Sequence, residues 1–137
     1  MTISRKERHE RNNAVIAQLR ANGGQDPERT LLILTTTGRK TGKPFTTPLA
    51  YQQDGDRLLV FASKAGAPEH PDWYNNLVAN PEVTVEALGE TYQARATTLQ
   101  GEERDRYYAK QAEASPAFGD YQKRTTRIIP VVALERI

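Results

Sequence analysis

The chain contains no cysteine. That absence removes disulfides, thiolate nucleophiles and every cysteine-based zinc or iron–sulfur arrangement. Histidine is nearly as scarce: His9 and His70 are the two present and stand far apart, so no metal site is expected. No apolar run approaches the roughly 18 residues of a membrane span, and the N-terminus lacks the apolar core of a signal peptide, so a cytoplasmic address is expected. A large excess of either charge is missing as well. With 19 basic and 17 acidic residues the formal charge is +2, too small for an overall field that draws the molecule to nucleic acid.

What is present suits one compact core in 137 residues. Ser4 to Glu7 reads as an S-x-x-E capping box, opening a helix that stops at Gly23-Gly24. Its apolar stripe, Val15, Ile16 and Leu19, lies in the second half only. The first half sets Arg5, Lys6, Arg8 and Arg11 against Glu7 and Glu10. That half is a solvated face or one that rests on an anionic membrane surface. Residues 1–24 are therefore read as an N-terminal amphipathic helix and residues 25–137 as a barrel domain.

From Thr30 the pattern turns to β. Leu31–Thr37 is one strand, Pro48–Tyr51 leads into a second, and Gln53-Asp54-Gly55-Asp56 turns into Leu58–Ser63. Pro71 opens a short helix in which Trp73/Leu77 and Tyr74/Val78 fall at i, i+4 before Asn80-Pro81. Val83–Leu88 and Thr91–Leu99 form a hairpin around Gly89, Glu102–Ala114 is helical, and Ile128–Leu134 is the last strand, with Pro130 marking an edge or a bulge. Six strands with a few helices predict a mainly β protein, a small barrel.

Three segments carry candidate chemistry. Between Gly38 and Gly42 stand Arg39, Lys40 and Thr41, with Lys43-Pro44 following. Glycines let backbone N–H groups approach an anion and the cations neutralise it, so the segment is a phosphate cradle or a polar hairpin tip. It is not a P-loop, since Pro44 replaces the magnesium-binding hydroxyl. Next, Ser63 to Pro68 is a small-residue strand end before Trp73 and Tyr74, which leaves room for a flat ring or supplies core anchors. Last, Pro116 to Gln122 is read as a loop, with Tyr121 either donating to a developing oxyanion or plugging the barrel as a lid. His70 has no partners at triad spacing and is not assigned a catalytic role.

The ordered set T-T-G-R-K-T-G-K-P and T-P-L (36–49), A-S-K-A-G-A-P (62–68), P-D-W-Y-N-N-L (71–77), N-P (80–81), Y-Q (121–122) and I-P-V (129–131) resembles the deazaflavin-dependent nitroreductase and quinone reductase family, users of coenzyme F420. The resemblance implies a split β-barrel related to flavin-binding oxidases. It implies hydride transfer from the reduced deazaflavin to a small-molecule quinone-like or nitro-aromatic acceptor. Carried over by position, it assigns Arg39, Lys40 and Thr41 to the coenzyme phosphate and Phe45, Thr46, Thr47, Pro48, Leu49 and Ala50 to the same groove. Phe61, Ala62, Ser63 and Lys64, with Asp72, Trp73, Tyr74, Asn75 and Asn76, go to the ring and its linker. Tyr121 closes over ring and acceptor, and Ser63 or Tyr121 is the candidate proton source. Flavin mononucleotide on the same fold remains an alternative, because a phosphate cradle does not distinguish phosphorylated flavins. A non-enzymatic RNA-binding barrel is disfavoured by the near-neutral charge and the lack of aromatic-rich strands.

Overall fold

The computed structural model describes residues 5–26 and 29–137. The elements run α1 (Arg5–Ala21), β1 (Leu31–Thr37), β2 (Pro44–Asp54), β3 (Arg57–Phe61), a 3-10 turn (Lys64–Gly66), α2 (Asp72–Ala79), β4 (Glu82–Ala87), β5 (Glu90–Thr98), α3 (Gly101–Ala114), α4 (Pro116–Lys123) and β6 (Val131–Arg136). The six strands close in the order β1-β2-β3-β6-β5-β4, every neighbouring pair antiparallel. The mainly β barrel expected from the sequence is thus the observed architecture.

Side-chain alternation decides what each strand buries. Leu32 and Leu34 of β1, Leu58 and Val60 of β3, Val83 and Val85 of β4, and Val132 and Leu134 of β6 point inward, and Trp73 and Leu77 of α2 join the same core. The opposite faces of β3 and β6 present Leu59, Phe61, Val131 and Ala133 to Tyr108 of α3 and to Phe118 and Tyr121 of α4. Ile33 of β1 packs outward on Ile16 and Leu19 of α1. The inner faces of β1, β3 and β6 fill the barrel core and helices cover their outer faces, so they read as continuous apolar runs, whereas β4 and β5 alternate with solvent-facing polar residues. The first half of α1 projects past this contact: residues 6–11 are all exposed. Ser4 of the expected capping box lies outside the described residues. No described helix is long and apolar enough to cross a membrane.

Two expectations fail. Residues 116–122 are not a loop but belong to α4, with Pro116 in its first turn, where a missing N–H costs nothing. Gly119 is tolerated because Phe118 and Tyr121 bury one face against the second cluster, and packing outweighs propensity in a short helix. Pro130 marks neither an edge nor a bulge. It stands just before β6, a strand paired on both sides, and its carbonyl accepts from the Ala62 N–H at 3.0 Å.

Candidate coenzyme site

The barrel is closed, yet one seam of it is open. β2 pairs with β1 along Pro44–Ala50 but with β3 only from Tyr51↔Val60 to Asp54↔Arg57. Continuing that register would set Ala50 opposite Phe61 and Pro48 opposite Ser63. The chain instead leaves the ladder after Phe61 and turns through Lys64, Ala65 and Gly66 at φ of 45°, 53° and 81°. Two consecutive non-glycine residues in the left-handed region are a local cost of about 1–2 kcal/mol each, held in place by what surrounds them. The first half of β2 and the end of β3 therefore face each other across a split, which is where Phe45 to Ala50 and Phe61 to Lys64 fall.

At one end of the split lies the β1–β2 turn. Gly38 N–H donates to the Lys43 carbonyl at 2.7 Å and Gly42 N–H to the Gly38 carbonyl at 2.9 Å. A Cβ on Gly38 would lie 2.6 Å from the Phe45 ring and 2.9 Å from Thr41 Oγ1, so the turn closes this tightly only with glycine there. Arg39, Lys40, Thr41 and Lys43 are exposed, and the three cations have no acidic partner among the described residues. Arg20, Arg57, Arg95 and Arg136 are each matched to a carboxylate. Unmatched cations and a hydroxyl on a tight turn fit a phosphate.

α2 links this turn to the other end. The buried Asn76 accepts from the Arg39 N–H at 3.1 Å through Oδ1 and donates to Thr36 Oγ1 at 3.5 Å, and Asn80 donates to the Thr37 carbonyl at 3.3 Å. Asn76 thus anchors the cation turn, and Trp73 lies in the barrel core. Asp72 is exposed, while Tyr74 and Asn75 are half-buried. Tyr74 bonds Thr98 Oγ1 at 3.0 Å, and its ring meets that of His70 at a tilt of 54° with centroids 4.8 Å apart.

At the far end, Arg127 holds the turn after β3. Its Nε donates to the Ala67 carbonyl at 2.9 Å, Nη1 to the Ala62 carbonyl at 3.1 Å, and Nη2 to the Ser63 carbonyl at 2.7 Å. Nη1 also lies 3.1 Å from His70 Nδ1. Arginine has no acceptor, so Nδ1 accepts and the neutral ring carries its proton on Nε2. Burial, then the Arg127 charge, holds His70 below the ordinary histidine pKa, in keeping with that neutral form. Lys64 pairs with Glu69 at 2.8 Å, which holds Glu69 below the ordinary carboxylate range.

Tyr121 closes this end from α4. Its backbone packs directly on Gly66, where an added Cβ would lie 2.7 Å from the Tyr121 carbonyl oxygen. The Tyr121 ring meets Phe118 edge-on at 5.3 Å. Tyr74, Tyr107 and Tyr108 spend their hydroxyls on Thr98, Asp54 and the Phe118 carbonyl. The Tyr121 hydroxyl has no protein partner among the described residues.

The structure so gathers the three sequence segments around one split, through ties the sequence reading missed. Arg127 lies outside the three segments, and its targets are main-chain carbonyls some sixty residues away, which no spacing encodes. The brace behind it was equally hidden: Arg104 donates to Gln122 and to the Ile129 carbonyl, and Gln122 bonds the Arg127 carbonyl and the Ile129 N–H. Two concavities lie elsewhere. One of about 190 Å³ sits between α1 and the β4–β5 hairpin and one of about 320 Å³ beside Arg57 and Arg136. Their arginines are already committed to carboxylates, so neither suits a phosphorylated coenzyme. No group of three metal-ligating side chains occurs among the described residues.

A six-stranded barrel with this split defines the class: a split β-barrel of the flavin-oxidase type. The chain belongs to the F420H(2)-dependent quinone reductase family, which residues 6–136 match. It is 42% identical over 110 residues to the F420H(2)-dependent quinone reductase Rv1261c of Mycobacterium tuberculosis, covering 77% of this chain and 72% of that protein. Among solved structures, an F420-H2 dependent reductase (FDR-A) matches with a TM-score of 0.71 and 39% identity, over 78% of this chain and 95% of that one. A chain described as a domain-swapped dimer matches with a TM-score of 0.73 and 36% identity, over 95% and 96%. This chain is accordingly an oxidoreductase that uses reduced coenzyme F420, with quinone as the acceptor class. The choice between F420 and flavin mononucleotide is thereby settled for F420.

Proposed function

We propose that the chain binds F420 along the split, with its phosphate on Arg39, Lys40 and Thr41 and its ring against Phe61 to Lys64, and reduces quinones and nitro-aromatic compounds at the Tyr121 end. The observation that carries this reading is the opening of the β2–β3 ladder beside three unmatched cations. The residues fit the coenzyme by the chemistry of the donor set: cations and a hydroxyl at one end, small residues and main chain at the other.

When bound, the reduced deazaflavin supplies the hydride. The chain's own residues then position and protonate. Arg39 and Lys40 neutralise phosphate, and the half-buried β2 residues Thr46 to Ala50 wall the groove. Ser63, at the strand end, and Tyr121, with its uncommitted hydroxyl, each present an O–H for the oxygen that gains charge and for the balancing proton. Asn76 and Trp73 support the walls from behind.

Titration of the folded protein with F420 tests the site. Lys40→Ala should weaken binding by about 1–3 kcal/mol, roughly 5- to 150-fold, because one charge-assisted bond is lost. Unchanged affinity would remove the turn from the site. Oxidation of F420H2 with a benzoquinone and with a nitro-aromatic compound tests the acceptor range, and turnover with the quinone alone would confine the activity to quinones.

A further inference from the structure

We propose that Arg127 is a positioning residue for the coenzyme: its guanidinium fixes the left-handed turn after β3 in the shape that receives the deazaflavin ring. This inference rests on the reading that residues 61–64 face the ring. The starting point is the conformation itself. Lys64 and Ala65 hold φ of 45° and 53° without being glycine, so the turn does not keep this shape by local preference. Its internal support is two main-chain bonds, Gly66 N–H to the Ser63 carbonyl at 2.9 Å and Ala67 N–H to the Lys64 carbonyl at 3.0 Å, and the partly exposed Lys64–Glu69 ion pair at 2.8 Å.

Arg127 supplies what is missing. One planar fork takes the carbonyls of Ala62, Ser63 and Ala67, on both sides of the strained residues, and the Nδ1 of His70. Three rigid in-plane donor groups aimed at diverging acceptors are a pattern that a single ammonium cannot reproduce. No carboxylate lies within ion-pair distance of this guanidinium among the described residues. Burial, offset in part by the nearby Glu69 charge, lowers its pKa, and its hydrogen bonds go to main-chain carbonyls and His70 rather than to a carboxylate.

The clamp is itself braced. Gln122 Nε2 donates to the Arg127 carbonyl at 2.8 Å, and Arg104 Nη2 donates to Gln122 Oε1 at 2.6 Å. Gln122 follows Tyr121, whose backbone seats on Gly66. The ring-facing turn and the Tyr121 helix are therefore set by one connected group of bonds, and pre-organising that turn lowers the ordering cost of coenzyme binding.

The test compares Arg127→Lys, and Arg127→Gln in case a buried ammonium that cannot reach these diverging acceptors prevents folding, with wild type and Lys40→Ala. The readouts are F420 titration, steady-state kinetics and amide exchange by peptide. Positioning predicts faster exchange in residues 62–70 with β1, β4 and β5 unchanged, and F420 affinity about tenfold or more weaker. It also predicts kcat at saturating coenzyme within about threefold of wild type, a split that global destabilisation does not give. Faster exchange with unchanged affinity overturns the inference, as does unchanged exchange. If Lys40→Ala loses affinity and the Arg127 variants do not, the inference fails alone. If F420 protects neither 44–50 nor 61–64 from exchange, the site reading fails and takes the inference with it.

Discussion

Gly66→Ala is the sharpest single perturbation of the site. Gly66 sits at φ +81°, and a Cβ there would lie 2.7 Å from the Tyr121 carbonyl oxygen, 3.1 Å from Tyr121 Cα and 2.9 Å from Arg124 Cβ. Alanine in the left-handed region costs about 1–2 kcal/mol. The overlap adds about 1–3 kcal/mol, because two of the three atoms are α4 backbone and cannot rotate away. Gly55→Ala isolates the first part: Gly55 has φ +60° and nothing within 4 Å of an added Cβ. Gly66→Ala should therefore lower stability by about 2–5 kcal/mol and Tm by roughly 6–20 °C for a chain of this size. Gly55→Ala should account for only the conformational share. Calorimetry on both variants gives the difference. If Gly66→Ala melts within about 2 °C of Gly55→Ala, α4 is not seated on the turn and the packing argument is wrong.

Three further perturbations probe other parts. Tyr121→Phe keeps the ring against Phe118 and removes a hydroxyl without a protein partner, so melting should be unchanged while turnover falls roughly 10- to 1,000-fold at near-constant F420 affinity; unchanged turnover would assign the proton to Ser63 or water. Removing residues 1–11, whose described members 6–11 are exposed, should leave Tm and F420 affinity unchanged and show up, if anywhere, in sedimentation with anionic vesicles. Removing residues 1–20 instead strips the buried Ile16 and Leu19 from Ile33 and should cost up to about 3–6 kcal/mol in a denaturant titration. His70 titrates below its ordinary pKa in the fold, so the unfolded chain binds its proton first. The stability held by neutral His70 is complete above about pH 6.5 and declines as pH falls from there through the lower folded value. A wild-type Tm between pH 7.5 and 5 that parallels that of His70→Gln would refute this.

Much of the barrel was legible because short-range chemistry determines it. β1 occupies the residues its β-branched run marks, Gly55 and Gly89 place both hairpin turns, and Pro71 and Asn80-Pro81 bracket α2. α4 was not, since Pro116 and Gly119 read as loop residues, and the face that makes it a helix exists only when β3 and β6 present Phe61 and Val131 to it. The site was legible as three segments but not as a site. What joins them is the end of a ladder at Tyr51↔Val60, an asparagine amide spanning Thr36 and Arg39, and an arginine on carbonyls. Main-chain acceptors leave no trace in side-chain patterns.

The interrupted ladder also separates two kinds of selection. Barrel strength resides in inward-facing residues such as Leu34, Val85 and Leu134. The exposed positions beside the opening, such as Ala117, Asp120 and Lys123 on α4, are by contrast ones where most exchanges shift stability by less than about 0.5 kcal/mol. On the site proposed above, exchanges at such exposed positions alter what meets the electron acceptor while the interior and the Arg127 brace stay as they are. A combinatorial library confined to those exposed positions would hold more folded members per variant than one spread over the same number of interior sites.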